Sequence, residues 1–149
     1  MTQTDSDSHG KNALKTIFDF SGVLIVGFVL ALIVGNIIVI FVADVYNQEA
    51  CWRAAHAVAN GVKNGLSTRS IYRSAQDSIL SLTVLNTYMD GPECTECFEQ
   101  PSMPGNVWQV TTVTSIRLPA PFLVLNNQHA LEDGRLKLTK TYLLKIGRV

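Results

Sequence analysis

From Phe20 to Ala43 the chain carries no charged residue, and Asp19 and Asp44 bracket the run. At a rise of about 1.5 Å per residue these positions make a helix of roughly 36 Å, enough to cross a hydrocarbon core of about 30 Å with some tilt. A single apolar run in lipid has one sensible state, because only a helix satisfies every backbone N–H and C=O within the segment. A secretory signal core is shorter, about 7 to 15 residues, and follows a positive stretch. Here Asp5, Asp7 and Asp19 stand beside only Lys11 and Lys15. The run is therefore read as an uncleaved span, with a buried helix of a soluble protein as the competing reading.

The surface of this span is uneven. Gly27, Ala31 and Gly35 follow at i, i+4 spacing, so they share one face and let a second helix approach closely. Asn36 adds an amide, and an interhelical hydrogen bond there is worth about 0.6 to 2 kcal/mol. The spacing predicts self-association or assembly through this face. The plainer reading is that Gly and Ala are common in single spans and that Asn36 reaches a neighbouring backbone.

Basic residues do not orient the span, since Lys11 and Lys15 precede it and Arg53 and Lys63 follow it. Size does slightly better: the polar opening is too short to fold, whereas the segment after the span is long enough for one small domain. Cys94 and Cys97 in a polar loop would suit an oxidising exterior, which places that domain outside. The 149 residues carry a formal net charge of +0, and the span inflates the 47% hydrophobic share. Nothing in bulk charge recommends a nucleic-acid partner.

Three segments follow: a disordered tail over 1–16, a long helix over 17–64 containing the span 20–43, and an extracytoplasmic domain over 65–149. The helix is expected to continue past Asp44, because Val45, Ala50, Ala54, Ala55, Val58, Ala59 and Val62 recur at helical spacing before Gly61 and Gly65 intervene. This small-residue face suits packing on the domain's own sheet or between subunits. Ser67 or Thr68 then caps a second helix to about Leu85, with Ile71, Ala75, Ile79 and Leu82 on its apolar side.

Asp90 to Gly105 reads as a loop punctuated by Gly91, Pro92, Pro101, Pro104 and Gly105. Beyond it the period becomes two. Trp108, Val110, Thr112, Thr114, Ile116 and Leu118 oppose Gln109, Thr111, Ser115 and Arg117, with Val113 the exception, and Leu136, Leu138, Tyr142, Leu144 and Ile146 oppose Arg135, Lys137, Thr139, Thr141 and Lys145, with Lys140 and Leu143 out of pattern. Phe122 to Leu125 is a short candidate strand, and Glu132-Asp133-Gly134 is a turn signal. The fold class is α+β: a long helix, a short helix and a small antiparallel sheet.

The chemical candidates are few. Cys94-Thr95-Glu96-Cys97 has the CxxC spacing of thiol-redox sites and of half a zinc site. Glu93, Glu96 and Glu99 surround it, and carboxylates oppose a reactive thiolate. The readings are a structural disulfide between Cys94 and Cys97 or of either with Cys51, free thiols, or a metal site drawing on Cys51, His9, His56 and His129. Asp90, Glu93, Glu96 and Glu99 lack a calcium-loop pattern, and no catalytic triad, phosphate loop or dinucleotide fingerprint occurs. No catalytic residue, cofactor site or metal site is assigned. Arg135, Lys137, Lys140, Lys145 and Arg148 form a basic C-terminal set suited to the wet face of a sheet, an acidic partner or lipid headgroups.

In the order of its features the chain resembles the TadE-like minor pilins, or pseudopilins, of the tight-adherence (Tad) branch of type IV pili. The resemblance rests on Gly22-Val23-Leu24-Ile25-Val26-Gly27-Phe28 at the head of the span, Asp44 at its end, Ala50-Cys51-Trp52-Arg53-Ala54-Ala55 in the helix, and Leu118-Pro119-Ala120-Pro121-Phe122 with Leu136-Lys137-Leu138-Thr139-Lys140-Thr141-Tyr142 in the closing strands. It implies a bacterial inner-membrane protein with an extracytoplasmic C-terminal domain, Gly22 as candidate processing glycine, and other pilin, pilus or secretion subunits as homo- or hetero-oligomeric partners beside the lipid bilayer. Such pilins usually place Glu five residues after the processing glycine; here that position is Gly27, and a start at Gly10 puts Lys15 there. The resemblance thus implies either a filament subunit or an anchored assembly factor. The alternative from another class is a membrane-tethered thiol-redox or metal-binding protein using Cys94 and Cys97.

Overall fold

The computed structural model describes residues 6–82, 87–101, 103, 106–121, 131–132 and 135–147, with 6–19 and 131–132 described for their backbone alone. It forms two compact units, Met1–Gly35 and Asn36–Val149. Helix α1 (Ser6–Lys63) is 58 residues long. It starts upstream of the expected Ile17 and takes in most of the stretch read as a disordered tail. A helix already nucleated by an apolar run extends at little cost through Ala13, Leu14 and Lys15, which are good helix formers. Its apolar stretch is long enough to cross a membrane, and from Phe20 to Leu30 every side chain is exposed.

The second unit combines the C-terminal part of α1 with α2 (Thr68–Leu80) and an antiparallel sheet of β1 (Glu93–Glu99), β2 (Val107–Ile116), β3 (Leu131–Glu132) and β4 (Arg135–Lys145), in the order β1-β2-β4-β3. This is the α+β architecture expected. The period-two readings of β2 and β4 hold for most positions: Trp108, Val110, Thr112, Thr114 and Ile116 are buried and Thr139, Thr141 and Lys145 exposed, whereas Thr111 of the expected outer face is buried and Tyr142 of the expected inner face is 46% exposed. Glu132 pairs with Arg135 across the expected turn, whose Asp133 and Gly134 lie outside the described residues, as does the candidate strand Phe122 to Leu125.

The strand β1 corrects the loop expected over Asp90 to Gly105. Its alternation is broken because the register shifts between Cys94 and Glu96, a bulge that brings two residues three apart onto one face. Only Cys94 and Cys97 face inward, and Glu93, Glu96 and Glu99 line the outside of this edge strand. Charge on an edge suppresses pairing with other chains.

The core lies between one sheet face and the helices. Ala50, Ala54, Ala55 and Val58 of α1, Ile71, Ala75 and Ile79 of α2, and Trp108 and Val110 of β2 share one buried cluster. Small side chains on α1 let it lie close to the sheet. The expected face is buried at Ala50, Ala54, Ala55 and Val58, while Val45 is 49% exposed; upstream of Ala50 the packed face runs through Asn36, Ala43 and Asn47.

A left-handed glycine ends α1. Gly65 has φ 65°, its N–H donates to the Val62 carbonyl and the Leu66 N–H donates to that of Gly61, each at 3.0 Å, the paired closure of a Schellman motif. Ser67 then caps α2 through Ser70, and α2 ends at Leu80, short of the expected Leu85. The helices close at Gly61, where an added Cβ would meet Ile71 Cγ1 at 2.9 Å. Gly61→Val is expected to destabilise the fold by about 1 to 3 kcal/mol through overpacking, read as a lowered denaturation midpoint in detergent. An unchanged midpoint would mean that α2 is free to move off α1.

Candidate assembly surface of helix and sheet

Polar side chains on α1 hold the sheet. Asn36, 2% exposed, donates from Nδ2 to the Ala120 carbonyl at 2.8 Å and accepts the Ala120 N–H on Oδ1 at 3.0 Å. Asn47, fully buried, donates to the Leu138 carbonyl at 2.7 Å and accepts from Thr112 Oγ1 at 2.8 Å. At the end of the apolar run Asp44 pairs with Lys140 at 2.9 Å. Asn36 is thus not offered to a neighbouring helix as its place in the span suggested. Its amide is consumed within its own chain, which is the plainer of the two sequence readings.

The rest of the expected stripe is accessible. Gly27 and Ala31 are exposed and Gly35 is half-buried, and a Cβ built on Gly22, Gly27 or Gly35 would meet nothing within 4 Å. The space that a small-residue contact needs is open at these positions.

A second surface was missed in the sequence. Ile38, Phe41, Val45, Gln48 and Trp52 follow at alternating spacings of three and four and are all exposed, with Phe41 at 68% and Trp52 at 48%. This is the period of a helix seam that meets another helix. Beside it a groove of about 450 Å³ is lined by Val45, Gln48, Glu49, Trp52 and Tyr142. Trp52 stacks edge-on against His56 with ring centroids 4.2 Å apart, and Glu49 pairs with Arg53 at 2.7 Å. The legible signal was a bulky Trp amid alanines, on the side of α1 opposite the buried stripe.

Cys51, Cys94 and Cys97 are buried with free thiols, so the disulfide read for Cys94 with Cys97, or for either with Cys51, is not formed in this structure. Cys51 Sγ lies 3.6 Å from the carbonyls of Val110 and Lys140. Cys94 is fixed to α2 through its backbone, with its carbonyl accepting from Tyr72 Oη at 2.9 Å and its N–H donating to Gln76 Oε1 at 3.2 Å.

Burial pushes the Cys94 thiol up to about 12, with Cys97 and Cys51 adding to the rise, and pushes Cys97 up to about 11. Burial also raises Cys51. Protonated thiols of this kind are poor nucleophiles and poor metal ligands. Among the described residues no group of three His, Cys, Asp or Glu side chains is placed to hold a metal ion.

No protein-family model, no curated protein and no solved structure matches the chain.

Two outcomes follow from these contacts. Asn36→Leu leaves the Ala120 N–H and C=O without their partner and is expected to cost about 1 to 3 kcal/mol; an unchanged denaturation midpoint would show that the pair contributes nothing. The thiols make stability fall with alkaline pH, because their folded pKa lies above the unfolded value of 9.0. Their contribution is complete below pH 9.0 and is lost as pH rises toward about 11 to 12. Denaturation of wild type and of the Cys94→Ala/Cys97→Ala variant, below and above that pH, should show a shallower alkaline loss in the variant; identical slopes would contradict the assignment.

Proposed function

We propose that the chain is a single-pass membrane protein that works by assembly, its helix α1 packing against helices of other subunits in the manner of a TadE-like minor pilin or anchored pseudopilin. The observation that carries this reading is the two-sidedness of α1 in the folded unit. One side is covered by its own sheet through Asn36, Ala43, Asn47 and Ala50. The other presents Ile38, Phe41, Val45 and Trp52 uncovered, at coiled-coil spacing and beside the groove of Trp52 and Tyr142. Exposed aromatic and apolar side chains in one continuous line mark a contact surface.

The open stripe of Gly27, Ala31 and Gly35 adds a second helix-packing face, and partners of the same pilus or secretion class fit both. The bacterial cytoplasmic membrane, with the C-terminal domain outside, is the location this reading entails. It rests on the large folded domain after the span and on the family resemblance. Gly27 in place of the usual Glu favours an anchored component over a subunit drawn into a filament by charge pairing, since a buried charge helps only when its partner is present. Nothing in the geometry favours thiol or metal chemistry at Cys94 and Cys97.

The test is oligomeric state in detergent and cross-linking in membranes for wild type, Gly27→Leu/Ala31→Leu and Trp52→Ala. Wild type should associate, and each variant should weaken association by about tenfold or more, equivalent to about 1.4 kcal/mol, while keeping its circular dichroism spectrum. A wild-type protein that is monomeric and cross-links to nothing would overturn the reading. Loss of function on Cys97→Ser with the fold intact would favour the thiol alternative.

A further inference from the structure

The segment Leu118-Pro119-Ala120-Pro121 lies against α1 at the level of Asn36, inside the stretch that hydropathy assigns to the membrane. Taking the chain as membrane-spanning, as proposed above, Phe20 to Gly35 alone would give only about 24 Å of helix, short of a hydrocarbon core of about 30 Å. Charge bars extension in the other direction, where Asp19 and Lys15 stand. The span must therefore continue into the part of α1 that the domain covers on one side. Counting about 30 Å from Phe20 reaches Val39, which puts Asn36 and its partner Ala120 about 5 Å inside the boundary, and tilt places them deeper.

The side chains at this level agree. Ile37, Ile38 and Phe41 are 59%, 56% and 68% exposed, and lipid is the solvent in which such a face is stable. Val39 and Ile40 pack against a cluster of Ala43, Ile116 and Leu118.

The backbone is the second observation. Irregular chain is tolerated in hydrocarbon only where its polar groups are satisfied. Pro119 and Pro121 have no N–H to satisfy. The one donor between them, the Ala120 N–H, is bound by Asn36 Oδ1, and the Ala120 carbonyl accepts from Asn36 Nδ2.

Charge frames the edge. β2 ends on the pair Ile116 with Leu136. Arg117 follows it, and Arg135 and Lys137 stand at the same end of β4, with Arg135 paired to Asp90. These cations lie next to the apolar edge, where lipid phosphates would be.

We propose that the Leu118–Pro121 edge of the domain is seated in the bilayer, with Ala120 below the headgroups and Arg117, Arg135 and Lys137 among them. The groove at Trp52 and Tyr142 then stands in water.

The experiment is methyl NMR on alanine-methyl-labelled full-length protein in nanodiscs of phosphatidylcholine and phosphatidylglycerol, with either 5-doxyl lipid or a soluble gadolinium chelate added. The Ala120 methyl should be broadened by doxyl lipid as strongly as that of Ala31 and spared by the chelate, while Ala57 behaves in the opposite way. Broadening of Ala120 by the chelate while Ala31 answers to doxyl lipid would overturn the seating and leave the span intact. Broadening of both Ala31 and Ala120 by the chelate would remove the membrane-spanning reading and the proposal with it.

Discussion

Two buried asparagines decide where the sheet lies along α1. A buried amide without partners costs about 1 to 3 kcal/mol per unpaired group, so Asn36 must meet Ala120 and Asn47 must meet Thr112 and Leu138. These contacts fix the register of helix on sheet in a way that alanine packing cannot, because Ala50, Ala54 and Ala55 present a nearly featureless surface. The rest of the unit follows from that register. Cys51 falls over Val110, α2 closes on α1 at Gly61, and the far side of α1 is left uncovered.

That uncovered side links fold to function. A helix in a small domain ordinarily buries its apolar stripe and turns charges outward. Here the outward side carries Phe41, Val45 and Trp52, and the polar residues Asn36 and Asn47 are turned inward and satisfied. The inversion is understandable if the inward face specifies one arrangement within the chain and the outward face is solvated by lipid and by other helices. The buried thiols fit the same picture, since burial keeps them protonated and makes them core side chains.

Legibility in the sequence tracked periodicity. The apolar run, α2 and strands β2 and β4 were readable because most of their inward residues are apolar or threonine at a regular period. Strand β1 was hidden by a bulge between Cys94 and Glu96 and by an inward face made only of cysteines, so its glutamates and the flanking Pro92 and Pro101 read as loop. Asn36 looked like a membrane contact because a linear reading cannot show that Ala120 folds back beside it. The groove at Trp52 joins residues from α1 and β4, and tertiary contact of that kind leaves no local pattern.

Assembly through the open side of α1 is most directly tested by placing a photoreactive phenylalanine analogue at Trp52 and cross-linking in the native membrane, with the same residue at Thr139 on the outer sheet face as control. The expected result is a discrete adduct from position 52, identified by mass spectrometry as a second copy of this chain or another single-pass subunit, with none from position 139. Absence of any adduct from position 52 while the protein is folded and in the membrane would contradict it.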